Sequence, residues 1–259
     1  MLVKNLKFAF EKRRVWWFTA TSRTRARFAK TTLGSFWLGL SNLLSIATLG
    51  VVYGTVFSVP DFKSYFIYLG IGLVVWNAIS SAIASAPELF SHNSQNIKNM
   101  NLHPLFYTLE EWAFQLQTFF QSFILVFFVL FFVKKIILIN LLVYSWLPLI
   151  NLIIFLYWFP VLICLIGVRY TDVAQFVPII LQLVFLTSPI LYRKETLGGL
   201  DWIIDYNLIY KILDPIRASI IDGQIDYQRS IIILFMNLLG LVISLFLIER
   251  NTKNLPFLI

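Results

Sequence analysis

Residues 136–168 read IILINLLVYSWLPLINLIIFLYWFPVLICLIGV, 33 positions without a single Asp, Glu, Lys or Arg. About 20 apolar residues suffice for one helix to cross a bilayer, so this run alone raises a membrane reading. Working outward, further charge-free stretches lie at 31–60, 64–87, 112–133, 173–192 and 230–248, and each is long enough for a crossing. Of 259 residues, 59% are hydrophobic and 13% charged, with a mean hydropathy of +0.78. Soluble domains run near roughly 45–50% apolar and 25% charged, and six apolar helices would need a polar shell that these residues cannot supply. The expected fold is an all-alpha integral membrane protein, a single domain over 1–259 with transmembrane helices at 34–58, 64–87, 112–133, 138–166, 173–192 and 230–248. Pro148 and Pro160 predict a bend or tilt in the fourth.

Charge position sets orientation. Lys4, Lys7, Lys12, Arg13, Arg14, Arg23, Arg25, Arg27 and Lys30 precede the first span with one acid, Glu11, and no apolar core, which is not the pattern of a cleavable signal peptide. By the positive-inside rule the N-terminus is cytoplasmic; six crossings return the C-terminus to the same side, where Arg250 and Lys253 agree. Lys134 and Lys135 then fall outside, against the rule, and are expected to snorkel to the headgroups; the alternative is that 136–168 is something other than a single traverse.

Residues 4–30 mix those cations with Phe8, Phe10, Trp16, Trp17, Phe18 and Phe28, the composition of amphipathic helices lying in the cytoplasmic interface. The connection from Pro87 to Leu109 is rich in Ser, Asn and His and reads as a break followed by a short polar helix. Glu110 and Glu111 are expected to favour the start of the third span, with Trp112 as an interface anchor. Arg169 and Asp172 flank a short turn, and Thr171 or Asp172 is available to cap the fifth span. Between spans five and six, Ile209, Ile212, Leu213 and Ile216 recur at helical spacing among charges, so 196–221 predicts re-entrant or interfacial helices on the outer side.

Several chemistries are excluded. There is no GxxxxGK[ST] phosphate loop, no HExxH and no GxSxG; His92 and His103 have no metal-ligand spacing, and Cys164 is the lone cysteine in an apolar run. No metal or cofactor is expected in this chain, and no paired carboxylates sit deep in an apolar run as a proton path would require. The basic N-terminus faces lipid or a partner subunit rather than nucleic acid, given its attachment to six spans. Neutral polar residues do lie within the spans, among them Ser41, Asn42, Ser45, Thr48, Thr55, Asn77, Ser81, Gln115, Thr118 and Ser122. Some serve close helix packing. Others, with aromatics such as Tyr53, Phe57, Tyr65 and Trp76, suit the lining of a passage for a sugar chain, where rings and hydroxyls offer many shallow sites.

The segment Arg25-Ala26-Arg27-Phe28-Ala29-Lys30-Thr31-Thr32-Leu33-Gly34-Ser35-Phe36-Trp37 resembles the basic aromatic helix running into Thr-x-Leu-Gly-x-x-Trp of the polysaccharide and O-antigen export family of ABC transporters, a group that includes capsule and teichoic acid exporters. Gly167-Val168-Arg169-Tyr170-Thr171-Asp172-Val173 and Thr187-Ser188-Pro189-Ile190-Leu191-Tyr192 are similar to two further family motifs. Asn207 and Arg217 fit a third, although Leu208 replaces its usual Pro. The resemblance implies a homodimeric permease in the bacterial inner membrane, with two P-loop ATPase subunits that hold ATP and Mg. Its substrate would be an undecaprenyl-diphosphate-linked polysaccharide. It assigns headgroup guidance to Arg23, Arg25, Arg27 and Lys30; coupling to the ATPase to Asn96, Lys98, Asn99, Asn101, His103 and Pro104; and an outer gate to Trp202, Asn207 and Arg217. The competing expectations are export of teichoic acid, a drug or another amphiphile, and a membrane enzyme acting on polyprenyl-linked sugars.

Overall fold

A computed structural model describes residues 2–99, 102–194, 202, 206–252 and 254–258, and among them every regular element is helical. Two helices, α1 (Leu2–Glu11) and α2 (Arg13–Phe28), precede the bundle. The bundle comprises α3 (Phe36–Val56), α4 (Phe62–Ser85), α7 (Leu105–Val133), α9 (Trp146–Gly167), α10 (Val173–Thr187) and α12 (Tyr227–Asn251). Short helices α5 (Leu89–His92), α6 (Ser94–Asn99), α8 (Ile137–Tyr144), α11 (Leu208–Ile221) and α13 (Leu255–Leu258) fill the connections. Five helices, α3, α4, α7, α9 and α12, are long and apolar enough to cross a membrane, whereas α10 has only 15 residues. At 1.5 Å per residue, α10 spans about 22 Å, short of the ~30 Å hydrocarbon core.

Helix α4 forms the centre, packed against α7, α9, α10 and α3, while α12 lies along α9. Its start is fixed by Asp61, whose carboxylate accepts from the Ser64 N–H at 3.1 Å, an N-cap that satisfies one of the free amides of the first turn. Asp226 does the same for α12 through Arg229 N–H at 2.9 Å. Gly34, at φ +57°, turns the chain from α2 into α3 with open space around it, so the Leu33-Gly34 signal is a demand on the backbone. Gly167 answers a demand for space instead: a Cβ there would lie 2.6 Å from the Pro87 carbonyl oxygen, where the end of α9 touches the end of α4. Cys164 is buried in a small apolar cluster with Phe90, Ile97 and Leu255, which seats the short polar helices on that end of the bundle.

The run 138–166 is not one helix. It stops at Tyr144 and restarts at Trp146, giving the 8-residue α8 and the 22-residue α9. The cause is a polar knot: Ser145, fully buried, accepts from Ser219 Oγ at 3.0 Å, and Asn140 Nδ2 donates to the Ile220 carbonyl at 3.0 Å. Pro148 falls within the first turn of α9, where its missing N–H costs nothing, so it marks a start rather than a bend. Lys134 donates to the Ile221 carbonyl at 3.2 Å and so closes the C-terminal end of α11, an assignment that accounts for a cation on the side where charge bias does not expect one. Of the two expected outer helices, the second is α11; most of 196–206 lies outside the described residues.

The third apolar helix begins earlier than the charge-free stretch, at Leu105, which places Glu110 and Glu111 in its second turn rather than at its free amides. Glu111 is buried there, and Trp112 turns inward to donate its Nε1–H to the Ile153 carbonyl at 3.0 Å, so neither acts as a helix-start or interface anchor. Arg169 donates to Asn251 Oδ1 at 3.0 Å instead of pairing with Asp172, and Asp172 takes the N-cap position of α10 without a side-chain cap.

Candidate functional site

Polar side chains that looked scattered along the sequence meet on one flank of the bundle. Helix α4 presents Asn77, Ser81 and Ser85 at spacings of four, and α7 presents Glu111, Gln115, Thr118 and Ser122 at spacings of three and four, so each helix carries a polar stripe. Facing one another, the stripes form a ladder. Arg23 Nη1 of α2 donates to Glu111 Oε2 at 2.5 Å; Glu111 Oε1 accepts from Ser85 at 3.0 Å and Gln115 at 2.7 Å; Ser81 donates to Gln115 Oε1 at 2.9 Å. Further along, Asn77 donates to Asn42 Oδ1 at 2.5 Å, and Asn42 donates to Ser122, joining α3, α4 and α7. A groove of about 220 Å³ opens beside this second group, lined by Asn42, Asn77, Ser81, Thr118 and Ser122 with Arg27 at its rim. Asn77 and Ser81 are exposed on the outside of the bundle, as are Ser41, Ser45, Thr48 and Thr55 along one face of α3. An amide facing lipid would leave its unpaired polar atoms in hydrocarbon, so this flank suits water, a polar ligand or another protein surface.

Helix α2 lies against α7 through Trp16, Ala20 and Thr24, buried at spacings of four, and leaves Arg25, Arg27 and Lys30 exposed. Arg23 differs from them, being committed to Glu111 and resting over the Phe114 ring at 4.2 Å. Tyr53 and Phe57 stack on each other at 5.6 Å near the surface of α3. Tyr65 and Trp76 turn inward, contrary to the passage-lining expectation: Tyr65 is 2% exposed and donates to the Leu191 carbonyl at 2.6 Å, while Trp76 packs on Phe185 at 5.3 Å. Trp76 lies in the α4–α10 seam and Tyr65 against the segment that follows α10, on the packed side of α4.

In the connection between α4 and α7, Asn96, Lys98 and Asn99 are exposed on α6, with Ile97 holding that helix to the bundle; Asn101 lies outside the described residues. His103 and Pro104 face inward. Nε2 of His103 meets Glu249 at 3.3 Å and Asn5 at 3.2 Å, and Asn5 also donates to both Glu249 oxygens at 3.0 Å, so α1, the connection and α12 are tied at one point. Burial pushes the His103 imidazole below its ordinary value of 6.5, outweighing the attraction of Glu249.

At the opposite end Asn207 accepts from Tyr210 N–H at 3.0 Å, which starts α11 without the proline of the related motif, and donates to Ser188 at 2.6 Å. Trp202 is 60% exposed. Arg217 is buried: it donates to the carbonyls of Pro189 at 2.6 Å and Ile190 at 3.0 Å, and its guanidinium lies 3.8 Å from the Tyr68 ring centroid. It therefore clamps the Thr187–Tyr192 motif to α4 and α11.

The ladder and the Asn77–Asn42–Ser122 group could have been sought in the spacing of three and four within each helix. The Arg23–Glu111, Asn5–Glu249 and Arg217 contacts carry no such signal, since their partners are far apart in the chain. None of these sites groups three or more His, Cys, Asp or Glu among the described residues in a way that would hold a metal ion.

The chain is similar to the O-antigen export system permease protein RfbA of Klebsiella pneumoniae, 24% identical over 242 residues and covering 87% of each chain. Residues 19–221, from α2 to the end of α11, match the ABC-2 type transporter family, which makes this a transporter membrane subunit rather than an enzyme. With that match spanning the helices that carry the polar flank, and with five helices suited to crossing a bilayer, the chain belongs to the ABC-2 type transporter family as a multi-pass protein of the bacterial inner membrane.

Proposed function

We propose that this chain is the channel-forming half of an ATP-driven exporter that moves an undecaprenyl-diphosphate-linked O-antigen or related polysaccharide from the cytoplasmic to the periplasmic face. The observation that carries the reading is the exposed polar flank of α3 and α4 with its 220 Å³ groove. A flank of uncharged hydroxyls and amides is poorly matched to lipid but well matched to a sugar chain, whose hydroxyls exchange hydrogen bonds at low cost as they pass. Two copies facing each other through this flank enclose the path, so the working unit is a homodimer. The family supports the ATPase partner, two copies of which hold ATP and Mg; the export permease relative supports the substrate class.

In this reading the chain crosses six times, α10 completing its crossing through the turns of Ser188–Tyr192, and both termini are cytoplasmic. Asn96, Lys98, Asn99 and Asn101 receive the ATPase, with His103 and Pro104 behind them. Arg25, Arg27 and Lys30 guide the anionic headgroup. Trp202, Asn207 and Arg217 belong to the outer gate region. ATP binding and hydrolysis shift the dimer between inward- and outward-open states through different contacts in each. The test is co-purification with a P-loop ATPase followed by ATP-dependent movement of a defined lipid-linked glycan in vesicles; modification of the lipid by this chain alone would overturn the reading.

A further inference from the structure

We propose that Glu111 is an internal competitor of the substrate's diphosphate for Arg23, so that their ion pair sets the threshold at which the headgroup is accepted. The inference deepens the reading above and rests on the substrate's carrying a diphosphate.

The two partners differ in ways that suit exchange. The Glu111 side chain is 8% exposed, whereas that of Arg23 is 45% exposed, so the guanidinium can be reached from outside while the carboxylate cannot. Glu111 Oε1 is held by Ser85 and Gln115 independently of Arg23, which lets the carboxylate keep two donors when the arginine leaves. Arg23 uses Nη1 alone on Glu111, and its guanidinium rests on Phe114, a contact that does not depend on the carboxylate. A diphosphate offers more charge and more acceptor oxygens than one carboxylate and matches the guanidinium fork in two bonds. Arg27 lies one helical turn further along α2, at the rim of the polar groove. A headgroup that takes Arg23 from Glu111 is thereby delivered to the second cation and to the groove.

A purely structural ion pair predicts that loss of either partner weakens the protein alike. Competition predicts opposite signs. The measurement is ATP turnover of the full complex in nanodiscs, titrated with undecaprenyl diphosphate in one arm and inorganic pyrophosphate in the other. Glu111→Gln is expected to lower the half-saturating lipid concentration about two- to fivefold, the value of a partly exposed ion pair. Arg23→Gln raises it, Arg23→Lys falls between, and the double variant behaves as Arg23→Gln. Should Glu111→Gln fail to assemble, Glu111→Asp, which shortens the reach to Arg23, must shift the value in the same direction. A response to pyrophosphate that shifts likewise supports recognition of the anion itself; a response to lipid alone supports recognition of the anchored headgroup. If the wild type responds to lipid but the Glu111 variants do not lower the value, the competition is overturned and the exporter reading stands. If the wild type responds to neither probe, the diphosphate reading falls and the competition with it.

Discussion

Replacing Gly72 by Ala places a Cβ where the structure has a guanidinium. The new atom would lie 1.6 Å from Arg217 Nη2 and 2.5 Å from its Cζ, so Arg217 must leave its site. It then loses donation to the Pro189 and Ile190 carbonyls and its stacking on Tyr68. Hydrogen bonds from a charged donor are worth about 1.5–3 kcal/mol each, and a desolvated cation–π contact about 2 kcal/mol. The displaced guanidinium recovers part of this in the adjoining polar cavity of about 250 Å³, lined by Ser64, Tyr68, Tyr210 and Asp214. A net destabilisation of about 3–4 kcal/mol follows, equivalent to a thermal midpoint lower by about 6–16 °C at this chain length. The assay is thermal unfolding in detergent, with hydrogen exchange over 187–192 to locate the loss. Arg217→Gln should cost a similar amount, and adding Gly72→Ala to it should cost little more, because the clash partner has gone. A Gly72→Ala protein melting within 1 °C of wild type, or additive losses in the double variant, would refute the reasoning.

Three further outcomes are expected. Asn237→Leu removes the acceptor of Trp158 Nε1–H at 2.9 Å and the donor to the Asn151 carbonyl at 3.1 Å, and should destabilise the α9–α12 pair by about 1–2 kcal/mol in thermal unfolding; an unchanged melting curve would contradict it. Asn42→Ala and Asn77→Ala should each reduce ATP-dependent glycan movement about fivefold, one hydrogen bond's worth, with ATPase co-purification intact; full transport would remove these residues from the path. For His103, folding lowers the pKa, so its contribution is complete above 6.5 and is lost as pH falls below 6.5 toward the folded value. Hydrogen exchange at 248–252, corrected for intrinsic chemistry, should therefore accelerate on going from pH 7.5 to pH 5, and a His103→Gln protein should lose that pH dependence.

The elements were legible where one helix suffices to define them. Charge-free length announced the apolar helices, and the basic aromatic segment announced α1 and α2. The place where 136–168 divides was hidden because Ser145 breaks the helix only in the company of Ser219, 74 residues away. Glu111 looked like a residue favouring a helix start because its partner Arg23 is 88 residues distant. Tyr65 and Trp76 share composition with true surface aromatics, and only the packing of α4 at the centre turns them inward.

By itself the sequence determined the solvent, since transfer of apolar residues into hydrocarbon depends on composition and length. It also determined the orientation expected from nine N-terminal cations. The tertiary structure decided which polar residues are spent inside the protomer and which stay open. Arg217, Asn237 and Glu111 are buried among their partners, while Asn77, Ser81 and the hydroxyl face of α3, hydrogen-bonded within the protomer, stay exposed. Hydrogen bonds and close contacts are pairwise and directional, so a residue's role follows from the neighbour that the fold brings to it.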